Sequence, residues 1–106
     1  MLDRKKAVEA ILDIIHNINE NLNAEDKIPV SEETVIFGKN SMFDSLRFLH
    51  LISAIEEWIE DELDLIVTLA TEDVMFEKEG PFKSVLTLAD HVIKVVTTEM
   101  ENQADE

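Results

Sequence analysis

The residue best suited to carry chemistry in this chain is Ser45, which stands with Asp44 where an irregular stretch meets the longest helical pattern. A serine at a helix start has an exposed hydroxyl, and a phosphate ester on it would lie at the positive end of the helix dipole, which favours anions. Both residue types are also preferred helix caps. The pair alone therefore leaves two interpretations open, a simple cap or the attachment site of a phosphate-linked group.

The other reactive side chains do not form a catalytic or metal-binding pattern. Ser45, His50 and Asp61 have the residue types of a hydrolase triad, but on one helix Ser45 and His50 would point about 140° apart. The sequence has no Gly-x-Ser-x-Gly turn. His16, His50 and His91 belong to no metal-binding motif. We therefore predict no catalytic residue and no metal site.

Composition restricts the partners of the protein. The 106 residues suffice for one domain, and 9 basic against 24 acidic residues give a net charge of −15. Such a chain repels nucleic acid and anionic lipid, so we expect neither nucleic-acid binding nor membrane insertion, and we favour basic partner surfaces. Without cysteine, thioester chemistry would need a sulfur from an attached group. We expect a cytoplasmic protein without a secretion signal, monomeric by default.

Apolar periodicity predicts the first two helices. An apolar stripe with spacings of three and four follows Asp3, a candidate N-cap, and ends near Asn19 to Asn23. The second helix runs from Ser45 to about Leu63, and apolar residues fill roughly half of its circumference. An arc this wide predicts neighbours on two sides or a hydrophobic groove.

The segments around these helices complete an all-α prediction. The stretch 24–43 reads as a long ordered loop with apolar anchors and one helical turn near Ser31 to Val35. A short helix is predicted from Thr71 to Glu77, and a last helix opens with a Thr87–Asp90 capping box. Periodicity does not assign Leu65 to Leu69. The prediction is a four-helix bundle of three long helices and one short one. A single domain covers 1–106, with its core at about 5–97 and an acidic tail at 98–106.

The sequence Asp44 to Glu57, DSLRFLHLISAIEE, resembles without a gap the signature of acyl carrier proteins. In that family Asp-Ser-Leu opens the second helix, and an Ala-(Leu or Ile)-Glu-Glu stretch follows two turns later. The order of the flanking segments agrees from about Val8 to Val96. The resemblance implies an acyl-carrier-like bundle with a 4'-phosphopantetheine arm on Ser45, attached from coenzyme A by a phosphopantetheinyl transferase. Acyl-loading and acyl-transfer or condensing enzymes would then use the thiol of the arm.

The resemblance also implies roles for the residues near Ser45. Asp44 and Leu46 would flank the arm, and Leu46 falls on the polar side of the helix as a contact for partner enzymes. Further partner contacts are predicted at Arg47, His50, Glu56 and Glu57. The wide apolar arc would provide an acyl groove through Leu49, Ile52, Ile55 and Ile59, although most of its side chains would simply form the core.

Three departures from the family pattern point to a specialised pathway. Bulky residues, Met42 and Phe43, stand where a small residue usually precedes Asp-Ser-Leu. The front of the second helix carries Arg47 and His50 where the family tends to place acids, and the stretch after that helix is longer than usual. We expect a carrier for lipopolysaccharide, another surface glycolipid or a secondary metabolite. An aminoacyl or peptidyl carrier and an unmodified acidic helical adaptor remain alternatives.

Overall fold

The computed structural model describes residues 2–24, 27–36, 43, 45–70, 80 and 82–104, with the backbone alone at 45 and 104. Within these residues the chain forms three helices and no strand: α1 (Arg4–Asn19), α2 (Ser45–Leu63) and α3 (Val85–Ala104). The predicted all-α class is confirmed for this part of the chain. The short helix predicted from Thr71 to Glu77 lies outside the described residues.

Helix α1 begins and ends where the sequence predicts. The carboxylate of Asp3 accepts a hydrogen bond from the backbone N–H of Lys6 at 2.8 Å, which satisfies one of the first-turn donors. The apolar stripe, which includes Ile11 and Ile15, is buried against the other two helices. The helix ends at Asn19, and the side chain of that residue holds the following loop.

Helix α2 also has its predicted extent. Its buried face centres on Leu51, Ile55 and Ile59, all of which are essentially inaccessible to solvent. The residue after the helix, Asp64, has φ of 54° and donates its N–H to the carbonyl oxygen of Glu60 at 3.0 Å. A left-handed residue at this point ends the helix, and aspartate tolerates that conformation better than bulky or branched residues do.

The start of α3 corrects the predicted capping box. Ser84, not Thr87, occupies the N-cap: the N–H of Ser84 donates to Oγ1 of Thr87 at 2.9 Å, and the N–H of Thr87 donates to Oγ of Ser84 at 3.3 Å. This is the reciprocal pattern of a capping box, shifted three residues towards the N-terminus. Asp90 instead forms an exposed ion pair with Arg4, with Nε and Oδ1 2.9 Å apart.

The end of α3 corrects the predicted tail. The helix continues to Ala104, so most of the segment 98–106 is helical. The reason is that the apolar stripe of the helix does not stop at Val96. Met100 follows it by four residues and packs against the core, which extends the buried face by one more turn.

The connection after α1 is anchored to the core at two places. The side-chain amide of Asn19 donates to the carbonyl oxygen of Ile28 and accepts from its N–H, both at 2.7 Å. We call this pair the Ile28 clamp. Further along, Val35 and Ser84 form an isolated antiparallel bridge, which ties the loop to the start of α3. The predicted helical turn near Ser31 is a single hydrogen-bonded turn, closed by Thr34 N–H to Ser31 C=O at 3.1 Å.

The connection after α2 is irregular where the structure describes it. The segment 64–70 is neither helix nor strand. Leu65 and Leu69 are buried, whereas Ile66 between them is 79% exposed. The segment that periodicity left unassigned is therefore a loop that places two leucines in the core.

Candidate functional site

Ser45 is the first residue of α2. The helix begins at this position and has no acidic residue in its first turn. The backbone therefore places Ser45 at a helix N-terminus and not in the middle of a helix, as predicted. Asp44, its predicted companion, lies outside the described residues.

Two leucines next to Ser45 face solvent. Leu46 is 78% exposed, which confirms its predicted place on the polar side of α2. Leu49 is 58% exposed, so it lies outside the core, and its place in an acyl groove stays a prediction. The buried arc is narrower than the sequence suggested, because it centres on Leu51, Ile55 and Ile59 and leaves Leu49 beyond its edge. Leu46 and Leu49 are three residues apart and so form one exposed apolar surface on the helix.

The other predicted groove residues lie in the interior. Ile52 is 4% exposed, Ile55 is 1% exposed, and Ile59 is fully buried. They belong to the same core cluster as the buried residues of α1 and α3. The core interpretation of these three isoleucines is therefore confirmed.

An open groove of about 220 Å³ lies between α1 and α2. His50, an exposed residue that was predicted as a partner contact, stands at this groove. The groove is partly apolar and partly polar, and its lining consists of Ile14, Asn17, Ile18, Asn21, His50 and Ala54. Arg47, the second predicted cationic contact, is half-buried.

The two predicted acidic contacts have different environments. Glu57 is exposed, in agreement with a surface role. Glu56 is half-buried, and its Oε2 accepts a hydrogen bond from the backbone N–H of Leu69 at 2.8 Å. One carboxylate oxygen of Glu56 is therefore bound within the protein, and the partner contact at Glu56 stays a prediction.

His91 completes the contacts of Leu69. Its Nε2 donates to the carbonyl oxygen of Leu69 at 2.9 Å. The imidazole also packs edge-to-face on Phe82, which in turn packs edge-to-face on Phe48 of α2. Both backbone groups of Leu69 are thus bound by side chains, one from α2 and one from α3. We call this arrangement the Leu69 clamp (Glu56, Leu69 and His91).

The Leu69 clamp could not be found by sequence reasoning. Its two side chains lie 13 positions before and 22 positions after Leu69. No local spacing rule joins residues so far apart. Nothing in the sequence around His91 indicates this contact, and only the packing of α3 against the loop brings His91 to Leu69.

The described residues contain neither a cluster of metal ligands nor a membrane-spanning helix. Among the described residues, no three His, Asp or Glu side chains come together as a possible ligand set for a metal ion. None of the three helices is both long and apolar enough to cross a membrane.

Comparison with known proteins leaves the site to be interpreted from its own chemistry. No protein-family model matches the sequence, and no match was found among curated proteins or among solved structures. Three observations therefore bear on function. Ser45 stands at a helix start, Leu46 and Leu49 beside it are exposed, and the residues from 45 to 57 follow one another in the order described above.

Proposed function

We propose that this chain is an acyl carrier protein, a non-catalytic carrier with a 4'-phosphopantetheine arm on Ser45. The observation that carries the proposal is that α2 begins at Ser45, within the sequence Asp44-Ser45-Leu46. A transferase needs a serine hydroxyl at an accessible chain position, and the first residue of a helix is such a position. The exposed Leu46 beside it supports the same assignment.

The residues around Ser45 suit a phosphodiester. The first turn of α2 contains no carboxylate, so the one acid adjacent to the phosphate in the sequence is Asp44, and the helix dipole favours an anion at this end. Arg47 adds a positive charge to the same turn. The arm would supply a thiol, which the chain lacks because it contains no cysteine.

The attachment step is a transfer of the phosphopantetheine group from coenzyme A. The hydroxyl oxygen of Ser45 would bond to the phosphorus that carries pantetheine, and the bond from that phosphorus to the second phosphate would break. The products are the phosphodiester on Ser45 and adenosine 3',5'-bisphosphate, and the hydroxyl proton is released. The transferase supplies the catalysis, so the carrier needs no base of its own.

We also propose that the complete fold is the acyl-carrier-like four-helix bundle. The three described helices follow the order expected for the first, second and last helices of that bundle. The fourth, short helix would lie between α2 and α3, where the sequence places Thr71 to Glu77. An amide-exchange or chemical-shift measurement over that segment would test this part of the proposal.

The surface of α2 supports a carrier for a specialised pathway. From Ser45 to Ile55 the helix has no carboxylate, and its first acid is Glu56, which the Leu69 clamp engages. Partner enzymes would therefore meet exposed leucines and the cationic or neutral side chains of Arg47 and His50. A docking surface of this kind does not suit enzymes that recognise an acidic helix, and this favours a dedicated set of loading and condensing partners.

Intact-mass measurement tests the proposal directly. The protein is incubated with coenzyme A and a broad-specificity phosphopantetheinyl transferase. We expect a gain of one phosphopantetheine mass in the wild type and in Ser53→Ala, an exposed serine on the same helix. Ser45→Ala should show no gain. No gain in the wild type would contradict the carrier assignment and favour the helical adaptor; a gain that persists in Ser45→Ala would place the arm elsewhere.

A further inference from the structure

One stripe of α2 leads from Ser45 to the Leu69 clamp. Residues 45, 49, 52 and 56 follow each other at spacings of four, three and four, so they share one face of the helix. Along this stripe Leu49 is exposed, Ile52 is buried, and Glu56 accepts the hydrogen bond from the N–H of Leu69. At the helical rise of 1.5 Å per residue, residues 45 and 56 are about 16 Å apart.

The length of the stripe matches the length of the arm, on the premise of the proposed function. The phosphopantetheine backbone has about as many bonds as five residues of extended chain, which span roughly 17 Å. An arm laid along the stripe from Ser45 would therefore bring its thiol end to Glu56 and Leu69. The cargo would meet the protein at the point where the stripe enters the core.

In the described residues 64–70, the core at this point is covered by an irregular loop and not by a helix or strand. Leu69 is fully buried, but its N–H and C=O are bound by the side chains of Glu56 and His91 and not by a helix or sheet. Its neighbour Thr68 is exposed, and so is Ile66. Segments fixed by a few hydrogen bonds at the surface open locally more easily than helices do.

We propose that Leu69 is a displaceable plug that determines which acyl chains are sheltered. A chain that buries more carbon atoms than the leucine side chain can take its place in the core, because the gain in burial exceeds the loss. A two-carbon acyl group cannot. Glu56 and His91 are positioning residues, since they hold the closed state and set how easily it opens.

Amide exchange in the wild-type protein tests the plug. The transferase is supplied with acetyl-coenzyme A or octanoyl-coenzyme A, so that Ser45 receives the arm with its acyl group in place, and exchange of the Leu69 amide is followed by NMR. We expect octanoyl loading to raise the exchange rate about tenfold and acetyl loading to leave it unchanged. The amide of Ile28, in the other clamp, serves as the internal reference.

The outcomes distinguish failure of the Leu69 plug from failure of the carrier assignment. An arm that attaches while Leu69 exchange stays the same with octanoyl cargo overturns the plug and leaves the carrier assignment intact. No attachment at all overturns both. An equal response to acetyl and octanoyl cargo also overturns the plug, because the proposal requires dependence on chain length.

Substitutions of Glu56 provide a second test, the rate at which hydroxylamine cleaves the octanoyl thioester. This rate would not change if Glu56 only stabilised the fold. With the closed state weakened in Glu56→Ala, octanoyl cargo should enter more often, and hydroxylamine should cleave its thioester about threefold more slowly than in the wild type. Glu56→Gln keeps an acceptor oxygen and should restore the wild-type rate, and Glu57→Ala is the matched exposed control. Faster cleavage in Glu56→Ala, or no rescue by Gln, contradicts the proposal.

Discussion

The two connections of this protein each contain one buried aliphatic residue whose backbone is bound by side chains. After α1, a single amide, that of Asn19, both donates to and accepts from Ile28 at 2.7 Å. After α2, the two bonds to Leu69 come from two residues on two helices, Glu56 and His91. The same backbone requirement, that buried N–H and C=O groups find partners, is met in two ways.

The two clamps differ in burial and in the side chains that form them, and these differences affect how easily each clamp opens. Asn19 is only 7% exposed, is neutral, and is the last residue of α1, so its position is fixed by the helix itself. Glu56 and His91 are both half-buried and ionisable. Opening the Ile28 clamp would strand a buried amide, whereas Glu56 and His91 can turn towards water. We infer that the first clamp is a permanent fixture of the fold and the second can open.

The largest effect is expected from Asn19→Ala. The substitution leaves the N–H and C=O of Ile28 buried without their partner, and each unsatisfied group costs on the order of 1–3 kcal/mol. We expect the free energy of unfolding, measured by urea denaturation, to fall by about 3 kcal/mol. Asn17→Ala, an exposed residue two positions earlier on α1, is the control and should change stability by less than about 0.5 kcal/mol. Equal losses in the two variants would show that the clamp contributes nothing particular.

A smaller effect is expected from Glu56→Ala. The Leu69 N–H loses its acceptor, but the half-buried site admits water, so we expect a loss of about 1 kcal/mol in the same measurement. Amide exchange should accelerate at Leu69 and not at Ile28, because the two clamps share no residue. A loss as large as that of Asn19→Ala, or faster exchange at both positions, would contradict the distinction between a fixed clamp and an opening one.

The sequence predicts the helices of this protein better than it predicts the clamps. The bounds of α1 and α2 follow from apolar spacing and from Asp3 and Ser45, which are local signals. The exposure of Leu49 was missed because a helical wheel shows which side is apolar but not where a neighbouring helix stops covering it. The clamps join residues that are distant in the chain, and only tertiary packing brings them together.

The candidate functional site also has one feature that the local sequence predicts and one that it does not. The place of Ser45 at the start of a helix could be predicted, because it depends on where an apolar pattern begins. The engagement of Glu56 could not, because an acid in the run Glu56-Glu57 gives no local sign that one member is bound and the other is free to face solvent. Two adjacent, chemically identical residues thus have different roles for a reason that lies 13 residues away.

The last effect, similar in size to that of Glu56→Ala, concerns the point where the two connections meet, at the start of α3. Val35 of the first connection bridges Ser84 at the end of the second, and Ser84 also caps α3 through Thr87. Thr87 also has a hydroxyl that can cap a helix, and its spacing to Asp90 predicted the N-cap at that position. The bridge explains why Ser84 prevails: its backbone is held extended beside Val35, as an N-cap residue must be.

Ser84→Ala tests this account, because it removes the cap but keeps the backbone that forms the bridge. We expect a loss of about 1 kcal/mol in urea denaturation, in the usual range for removal of a serine cap. Ser84→Asp should retain most of the stability, since aspartate accepts the same hydrogen bond and complements the helix dipole. If instead the alanine variant kept its full stability, or its helix began at Thr87, the start of α3 would not depend on the Ser84 side chain. The backbone bridge between Val35 and Ser84 would then join the two connections at α3 without a contribution from the cap.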